Sequence, residues 1–436
     1  MGEDSVARRS VWALMIVALL YSAVHFTQSG VLFPLRQQNL AKFDEQTPAL
    51  RAHMATGNPV RFENPVQYGP VFFFVVHPLL RFTQSTQAFS NWLYAIQLFC
   101  IAVGFLVTCA TLKPLMPRRD LSLILAGLAV LWLNFAPLYT ILVVKSVETW
   151  ELCLLSIALY AYVRDRTWLM GTALAAAVLV KVLPAIFFFY LLITNRRAFV
   201  RACVALVVIL AVSHLLYGPE MGLLYLPQVA RTAAGNSYGL LWHENLSVKA
   251  AIAKMFGHLA TPDIAAGRGG STLVMTDVQL RIASIIGDIV VLIGLALLTW
   301  TWFRTKVRTR DTILWEWSFV TVALLILSPN TTFEYATLAM GAISYALVSA
   351  LRSPAPLSTW LPLGGALFFL GALLPRQVLN QLTFVDALTR WSGYAHLTPS
   401  EAYQYYCFPL LGLFLLAIAL WRIQPSPAGS VAPVGP

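Results

Sequence analysis

Long apolar segments, separated by short basic ones, constrain the fold of this chain more than any other feature. A helix needs about 20 apolar residues to cross a hydrocarbon core of about 30 Å. Hydrophobic residues make up 58% of the chain and charged residues only 11%, whereas a soluble domain is about one quarter charged. The sequence therefore predicts an all-α, polytopic membrane protein. Its twelve apolar runs lie at 11–29, 88–112, 121–142, 147–163, 168–180, 183–194, 198–217, 281–303, 312–328, 335–351, 358–375 and 404–422.

Basic residues follow the alternation of these runs. With Arg8 and Arg9 placed in the cytoplasm, every short loop on that side is basic, as the positive-inside rule requires. The net charge of +11 is thereby explained without nucleic acid, and we expect no nucleic-acid partner. The pattern predicts a plasma (inner) membrane protein with both termini cytoplasmic. The long extracytoplasmic loops are 30–87, 218–280 and 376–403.

The domain organisation follows from the same pattern. We expect a single integral membrane domain over residues 1–424 and a disordered, proline-rich cytoplasmic tail over 425–436. The first run could be a cleaved signal peptide, but no clear cleavage site follows it, and we interpret it as a retained first span. Five tryptophans are expected in the interfacial belts, namely Trp92, Trp300, Trp302, Trp315 and Trp317.

Two of the runs are too short to span a bilayer. Residues 168–180 and 183–194 would each extend only about 18–20 Å as helices. Lys181 and Pro184 lie where they meet. We predict a short hairpin that rises from the cytoplasmic face and carries Lys181 at its tip, at membrane depth. Such irregular backbone requires a protein or water-filled lining.

The outer loops also carry helical patterns. PALRAHMAT is typical of a helix, and Gly57 is expected to end it. A half-buried helix should then begin near Pro70. In the loop 218–280, an amphipathic helix is predicted to start near Asn245. The five cysteines form no pattern typical of disulfides or zinc, and no metal or cofactor is expected.

Charged and polar residues gather on the predicted outer side of this charge-poor chain. Ionisable groups at membrane edges are usually functional or paired. Both signs of charge occur, which suits a pocket that binds an anion and also needs a base. The residues concerned are Asp44, Glu45, Lys145, Glu148, Lys181, His243, Glu244, Asn245, Asn330, Glu334 and Arg376. Lys145 and Glu148 could equally form a structural pair.

Several segments resemble glycosyltransferase family 87, a mannosyltransferase-like branch of the polytopic glycosyltransferases with the C-type fold. The first outer loop contains FDEQTPALRAHMATGNPV and then QYGPVFFFVVHPLL, with acids at Asp44 and Glu45 and an aromatic-x-Pro element at Tyr68. Lys181 and Pro184 occupy the family's Lys-x-x-Pro position in VLVKVLPAI. ENLSVKAAI and LSPNTTFEYATLAM resemble later landmarks. The resemblance implies the C-type architecture and a polyprenyl-phosphate sugar as donor.

The resemblance also implies roles for individual residues. A carboxylate can remove the proton of an acceptor hydroxyl as it attacks the anomeric carbon, and Asp44 is the first candidate, with Glu45 as alternative base or acceptor ligand. Lys181 would stabilise the leaving phosphate, although a lysine there could also only extend towards the membrane interface. The remaining substrate-binding candidates are Tyr68, His243, Glu244, Asn245, Asn330, Glu334 and Arg376. Tyr68 could instead be an interfacial anchor, and His243 and Glu244 could only cap the following helix.

The sequence thus predicts a membrane hexosyltransferase. It would transfer a sugar, with mannose as first candidate, to a lipid-linked or cell-envelope glycan, with inversion of the anomeric centre. A transporter or flippase of lipid-linked sugars is the alternative, but it needs a polar path through both leaflets, and the inner halves of these runs are apolar. An inactive accessory subunit is a third possibility. Partners are therefore the donor, the glycolipid or glycan acceptor and membrane lipid.

Overall fold

The computed structural model of this chain describes residues 3–36, 47–60, 68–83, 85–235, 241–242, 244–259, 273–305, 308–352, 355–371, 387 and 399–425. The chain divides into two compact units, each described by itself below. The first unit comprises Met1–Pro184, Arg197–Val229 and Leu347–Pro354. The second comprises Ala185–Arg196, Ala230–Ala346 and Ala355–Pro436.

The regular secondary structure in the described part of the first half of the chain consists of helices. A π-helical segment, Phe26–Leu32, separates α1 from α2. In chain order the helices are α1 (Glu3–His25), α2 (Phe33–Arg36), α3 (Thr47–Thr56), α4 (Pro70–Phe82), α5 (Thr86–Leu112), α6 (Leu121–Leu133), α7 (Ala136–Val144), α8 (Glu148–Val163), α9 (Thr167–Val180), α10 (Ile186–Thr194) and α11 (Arg196–Tyr217).

The second half continues in the same way, apart from one small ladder. Strands β1 (His258–Leu259) and β2 (Leu273–Val274) pair antiparallel, with His258 opposite Val274. The further helices are α12 (Tyr225–Gly235), α13 (Val248–Phe256), α14 (Asp277–Arg304), α15 (Arg310–Leu327), α16 (Met340–Arg352), α17 (Leu357–Phe369), α18 (Pro399–Tyr405) and α19 (Phe408–Arg422).

Five helical segments are long and apolar enough to cross a membrane, as expected for a helical membrane protein. They are Arg8–Arg36, Thr86–Leu115, Arg196–Tyr217, Asp277–Arg304 and Phe333–Arg352. A sixth span results if the bent pair α6 and α7 is counted as one. Five shorter apolar helices accompany these segments in the described part of the chain. The predicted total of twelve apolar segments is therefore not established by the helices themselves.

The run predicted at 121–142 is not one straight helix, because it breaks into α6 and α7 with a bend of 47°. The side chain of Asn134 donates a hydrogen bond to the carbonyl of Val130 at 2.7 Å and another to Ser22 Oγ at 2.6 Å. Pro137 lies in the first turn of α7 and has no N–H to continue the ladder from α6. Asparagine and proline together therefore end one helix and start the next.

The two helices predicted within the loop 30–87 are confirmed. Helix α3 covers Thr47–Thr56, and Gly57 follows it with φ of +68°, where its N–H closes the helix on the carbonyl of His53. Glycine adopts this left-handed conformation without steric cost. Helix α4 begins at Pro70, whose missing N–H is one that a first helical turn does not use.

The core of the first unit is built around α4, α8 and α9. The aromatic rings of Tyr68, Phe72 and Trp150 follow one another, with centroids 4.9 Å apart for the first two and 6.0 Å for the second two. Leu179 and Val180, from the last turn of α9, are fully buried in the same cluster. This packing holds the start of α4, the start of α8 and the end of α9 together.

In the second unit, α13 packs along α14 and α17 packs along α19. Trp302, Trp315 and Trp317 are buried here, so their assignment to an interfacial belt is wrong. The indole N–H of Trp315 donates to the carbonyl of Leu420 at 2.7 Å, which gives its polar edge a partner inside the protein rather than at the headgroups. Trp92 and Trp300 are exposed, as the prediction requires.

Candidate functional site

Lys181 lies immediately beyond the last residue of α9. Its backbone is extended, with φ of −158° and ψ of 135°, and its N–H still bonds the carbonyl of Ala177. Pro184 follows three residues later and disfavours continuation of the helix. Lys181 therefore interrupts the apolar segment, as predicted, at a helix C-terminus where the unpaired carbonyls favour a cation. The hairpin geometry itself stays a prediction.

The side chain of Lys181 forms an ion pair with Glu148. The distance from Nζ to Glu148 Oε1 is 2.8 Å, and the glutamate side chain is fully buried while that of Lys181 is 19% exposed. Glu148 is the first residue of α8, a position where the helix dipole stabilises a carboxylate. Lys181 therefore has a partner inside the protein, and its side chain does not merely extend towards the membrane interface. Glu148 thus has an ion-pair partner 33 residues away in sequence, and the pair with Lys145 that the sequence suggested stays a prediction.

Tyr68 provides an aromatic surface beneath the same ammonium group. Lys181 Nζ lies 5.7 Å from the centroid of the tyrosine ring, within the range of a cation–π interaction. Tyr68 is only 1% exposed, so an interfacial anchor is the wrong description of this residue. The structure thus brings together two of the predicted substrate-binding residues.

Gly69 explains how Tyr68 comes so close to α9. Its N–H donates to the carbonyl of Val180 at 2.9 Å, which ties the segment before α4 to the last turn of α9. A Cβ atom at this position would lie 2.2 Å from the carbonyl oxygen of Leu179 and 2.7 Å from the hydroxyl of Tyr225. Only glycine allows this approach without displacing the helix.

Glu151 and Tyr225 lie near Lys181 as well, and neither was predicted from the sequence. Glu151 lies one turn after Glu148 on α8, is fully buried, and neither of its carboxylate oxygens has a hydrogen-bond partner among the described residues. The charges of Lys181 and Glu148 both act on it. The hydroxyl of Tyr225 is likewise buried without a described partner. We call Tyr68, Glu148, Glu151, Lys181 and Tyr225 the lysine site.

The electrostatics of the lysine site also affect Tyr225. Burial raises the pKa of Tyr225, the charge of Glu151 raises it further, and Lys181 acts in the opposite direction. The phenol is therefore neutral at physiological pH and able to donate a hydrogen bond.

One signal in the sequence pointed to the acids, because Glu148 and Glu151 are three residues apart in an otherwise apolar run.

Asn245 organises a second polar group, in the second unit. Its side-chain oxygen accepts hydrogen bonds from the N–H groups of Ser247 and Thr331, at 2.9 and 3.1 Å, and its amide donates to the carbonyl of Pro329 at 3.0 Å. Two loops that are distant in sequence are thereby joined. The helix predicted to start near Asn245 is present and begins at Val248, because Ser247 is the N-cap and accepts from the N–H of Ala250.

Glu244 lies beside a buried cation. Lys254, from α13, donates to the carbonyls of Asn245 and Gln404 at 2.9 and 3.3 Å. Burial lowers the pKa of Lys254, and the charges near it, including that of Glu244, act to raise it. Glu244 does not cap the helix, since Ser247 has that role.

Asn330 and Glu334 lie in the turn that follows α15. Asn330 is exposed, and its backbone carbonyl accepts from Ser328 Oγ at 3.2 Å. Glu334 is half-buried and accepts a hydrogen bond from the hydroxyl of Thr332. The neighbouring Thr331 binds Asn245, so this turn and the segment beginning at Glu244 form one polar cluster of the second unit, in which Asn245 and Thr331 are fully buried.

Four predicted site residues lie outside the described part of the chain. They are the candidate bases Asp44 and Glu45 and the substrate-binding candidates His243 and Arg376. Among the described residues, no group of three or more His, Cys, Asp or Glu side chains could hold a metal ion.

The lysine site combines features that suit an anionic ligand. The side chain of Lys181 is partly exposed and carries a cation, and an aromatic ring beneath the ammonium limits the directions from which an anion can approach. Buried carboxyl and phenol groups supply hydrogen-bonding capacity around it. The carboxyl groups of the lysine site are buried, and none of them is a solvated carboxylate.

Comparison with known proteins identifies the family. Residues 67–329 match the family described as glycosyltransferase family 87, and this segment contains every residue of the lysine site as well as Asn245. No curated protein matches the chain. The matched segment covers more than half of the sequence and includes its helical core, so the chain is a glycosyltransferase and belongs to glycosyltransferase family 87.

Proposed function

We propose that this enzyme transfers a sugar, with mannose as the first candidate, from a polyprenyl-phosphate donor to a lipid-linked or cell-envelope glycan. The reaction would take place on the extracytoplasmic side of the plasma membrane, with both termini of the chain in the cytoplasm. The observation that carries the proposal is the partly exposed side chain of Lys181, whose ammonium lies above the ring of Tyr68 at the break between two short apolar helices.

Lys181 is proposed to bind the donor phosphate. When the bond between the anomeric carbon and the phosphate oxygen breaks, negative charge increases on the departing polyprenyl phosphate. A cation at hydrogen-bond distance from that oxygen stabilises this charge more in a buried site than in water. The 19% exposure of the Lys181 side chain supports this role, because the side chain is not fully enclosed by protein.

Asp44 is proposed as the general base, with Glu45 as the alternative. The base would take the proton of the acceptor hydroxyl while that oxygen attacks the anomeric carbon from the side opposite the phosphate. Such a single displacement inverts the anomeric configuration. General-base catalysis of this kind contributes about 10²–10⁴-fold to the rate.

The remaining candidates are proposed to bind the substrates. Tyr68 would contact the donor sugar next to its phosphate, which agrees with its position under Lys181. For the acceptor, we propose the polar cluster of the second unit, whose loops are joined by Asn245 and whose residue Asn330 is exposed. The other members of this proposed set are His243, Glu244, Asn330, Glu334 and Arg376.

Transfer from a radiolabelled polyprenyl-phosphate mannose, by the purified full-length enzyme in lipid nanodiscs, tests the proposal. Asp44→Asn should abolish transfer and retain donor binding, since it changes the base only. Lys181→Ala should weaken donor binding or lower kcat. Lys249→Ala is the control, because Lys249 forms an exposed ion pair with Asp288 at 2.6 Å and belongs to neither proposed site.

Two results would reject these roles. Normal turnover by both Asp44→Asn and Glu45→Gln would exclude a base at this position, and unchanged kinetics of Lys181→Ala would exclude the phosphate contact. Two assays distinguish a transferase from a transporter or flippase: product formation in the same nanodiscs and movement of the donor across the bilayer of proteoliposomes. A flippase moves labelled donor across the bilayer without forming a new glycoside, whereas a transferase forms labelled product.

A further inference from the structure

Four arginines of the first unit lie at one end of the helices α8, α9 and α11. Arg164 and Arg166 are in the short turn that joins α8 to α9, and Arg197 and Arg201 are in the first two turns of α11. Arg164, Arg166 and Arg197 are exposed, and Arg201 is half-buried. We call these four residues the arginine cluster.

A close crossing of α9 and α11 brings the two halves of the cluster together. A Cβ atom at Gly171 would lie 2.8 Å from the backbone nitrogen of Ala202 and 3.0 Å from its Cα, so the two helix backbones are in contact here. Three residues before Gly171, the ring of Trp168 lies beneath the guanidinium of Arg201, with Cζ 5.2 Å from the ring centroid. The start of α11 is therefore next to the turn between α8 and α9.

The described residues give the arginine cluster no ion-pair partner. Asp165 lies between Arg164 and Arg166 with φ of +55°, and within the described part of the chain no ion pair joins any of the four arginines to a carboxylate. Arg164 lies over an aromatic ring, as Arg201 does, with Cζ 5.2 Å from the centroid of Tyr160. Stacking through its face orients a guanidinium and leaves the N–H groups on its edge able to bind an anion.

The surface beside the cluster is apolar and uncovered. Trp168 is 55% exposed, and Leu169 on α9 and Val200 and Val204 on α11 are exposed as well. Helix α11 is one of the segments long and apolar enough to cross a membrane, so side chains that protein leaves uncovered on it contact hydrocarbon. A tryptophan at the end of such a surface is typical of headgroup depth. The arginine cluster therefore borders the hydrocarbon at the level of the headgroups.

We propose that the arginine cluster binds the phosphate headgroup of one anionic phospholipid, whose acyl chains lie along the exposed apolar faces of α9 and α11. Arginine N–H groups match phosphate oxygens in geometry and charge, and basic pockets between transmembrane helices recognise anionic headgroups by this chemistry. The apolar faces favour a lipid over an acidic soluble protein, which would leave them uncovered. The site lies at the ends of α8 and α9 opposite to Glu148 and Lys181, so it does not depend on the proposed function.

Native mass spectrometry of the full-length enzyme in detergent tests this site, because it counts each bound lipid. The probes are phosphatidylglycerol and phosphatidylcholine with the same acyl chains, titrated separately. The wild type should bind its first phosphatidylglycerol at least about tenfold more tightly than its first phosphatidylcholine, since several arginines face one negative charge. Glycerol 3-phosphate at millimolar concentration should not displace the lipid, because it lacks the apolar contacts.

Arg197→Gln with Arg201→Gln is the decisive variant, and it should lose this preference for the anionic lipid. The matched control is Arg304→Gln with Arg422→Gln, which removes two exposed arginines from the ends of other helices. Arg304 also lies over an exposed tryptophan, Trp300, at 4.7 Å from the ring centroid, so the control changes net charge and stacking in the same way. It should retain the wild-type preference.

Several results would reject the lipid site. Equal affinity of the wild type for both lipids, or an unchanged preference in Arg197→Gln with Arg201→Gln, would exclude it, and an equal loss in the control would show a general effect of net charge. Displacement of phosphatidylglycerol by glycerol 3-phosphate would identify a soluble phosphate as the ligand, and displacement by decaglutamate would indicate an acidic protein. If the decisive variant does not fold, Arg164→Gln with Arg166→Gln removes the other half of the cluster, at exposed positions, and should lose the preference in the same way.

Discussion

Replacing Gly69 with alanine should lower the stability and activity of the enzyme. Among the described glycines with negative φ, it is the one at which an added Cβ atom would come closest to another atom. The backbone at Gly69 has φ of −88° and ψ of −177°, which alanine adopts without strain. The added Cβ, however, would lie 2.2 Å from the carbonyl oxygen of Leu179 and 2.8 Å from its carbonyl carbon. That is about 1 Å short of ordinary van der Waals contact, and the obstacle is a helix backbone rather than a movable side chain.

The magnitude follows from the two interactions that must change. Overpacking in a dense core costs about 1–3 kcal/mol. Displacement of the segment would also break the 2.9 Å hydrogen bond from the Gly69 N–H to the Val180 carbonyl, and an unpaired buried backbone group costs about 1–3 kcal/mol more. Because Tyr68 lies next to this bond, its ring should also move relative to Lys181. A misplacement of about 1 Å can lower the rate by about 10²-fold.

Chemical denaturation in detergent and transfer kinetics in nanodiscs measure these two effects. Gly341→Ala and Gly364→Ala are matched controls, since nothing lies within 4 Å of a Cβ at either helical position. Alanine should stabilise those helices by up to about 1 kcal/mol. If Gly69→Ala is as stable and as active as the two controls, the close approach between the segment before α4 and the end of α9 is not a feature of the folded enzyme.

Three further predictions concern the second unit. Asn245→Ala should lower the free energy of unfolding by at least about 2 kcal/mol, because it removes three hydrogen bonds that join two loops; a cost near zero would contradict that network. Ser247→Ala should cost about 1 kcal/mol through loss of the N-cap of α13, with Ser247→Asp as a variant that retains the cap. Burial lowers the pKa of Lys254 from 10.5, so there is a pH range below 10.5 in which the native side chain has lost its proton and the unfolded one has kept it. In that range the free energy of unfolding should rise with pH, by up to about 1.4 kcal/mol per pH unit. Thermal unfolding between pH 7 and 10.5 should show this rise in the wild type and not in Lys254→Met.

Much of the lysine site could be predicted from particular residues. Lys181 and Pro184 stand between two apolar runs that are each too short to span a bilayer, and Tyr68 precedes a proline at a helix start. Local chemistry explains these signals, because proline and charged residues interrupt helices whatever surrounds them. The partnership of Lys181 with Glu148 was not predictable in the same way, since 33 residues separate them and only packing brings α8 and α9 together.

The buried tryptophans illustrate the same limit. Trp300 and Trp302 are two residues apart on α14, yet the first is 58% exposed and the second 2% exposed. Hydropathy places both at the end of an apolar helix, and it contains no information about which side of that helix contacts protein. The bend within the apolar run at 121–142 was not predictable for a related reason, because Asn134, at the end of α6, bonds Ser22, which lies 112 residues away.

The sequence alone was sufficient to predict a helical membrane protein and the interruption of its apolar stretch at Lys181 and Pro184. The solvent that surrounds a chain decides which composition and which lengths of apolar runs allow it to fold. Both quantities can be evaluated without coordinates. Only the tertiary structure decided that Glu148, Glu151 and Tyr225 surround Lys181, and that Gly69 is the residue that allows Tyr68 to reach it. Those relations depend on which helix faces meet, and a charge in a buried site takes its properties from neighbours that are distant in sequence.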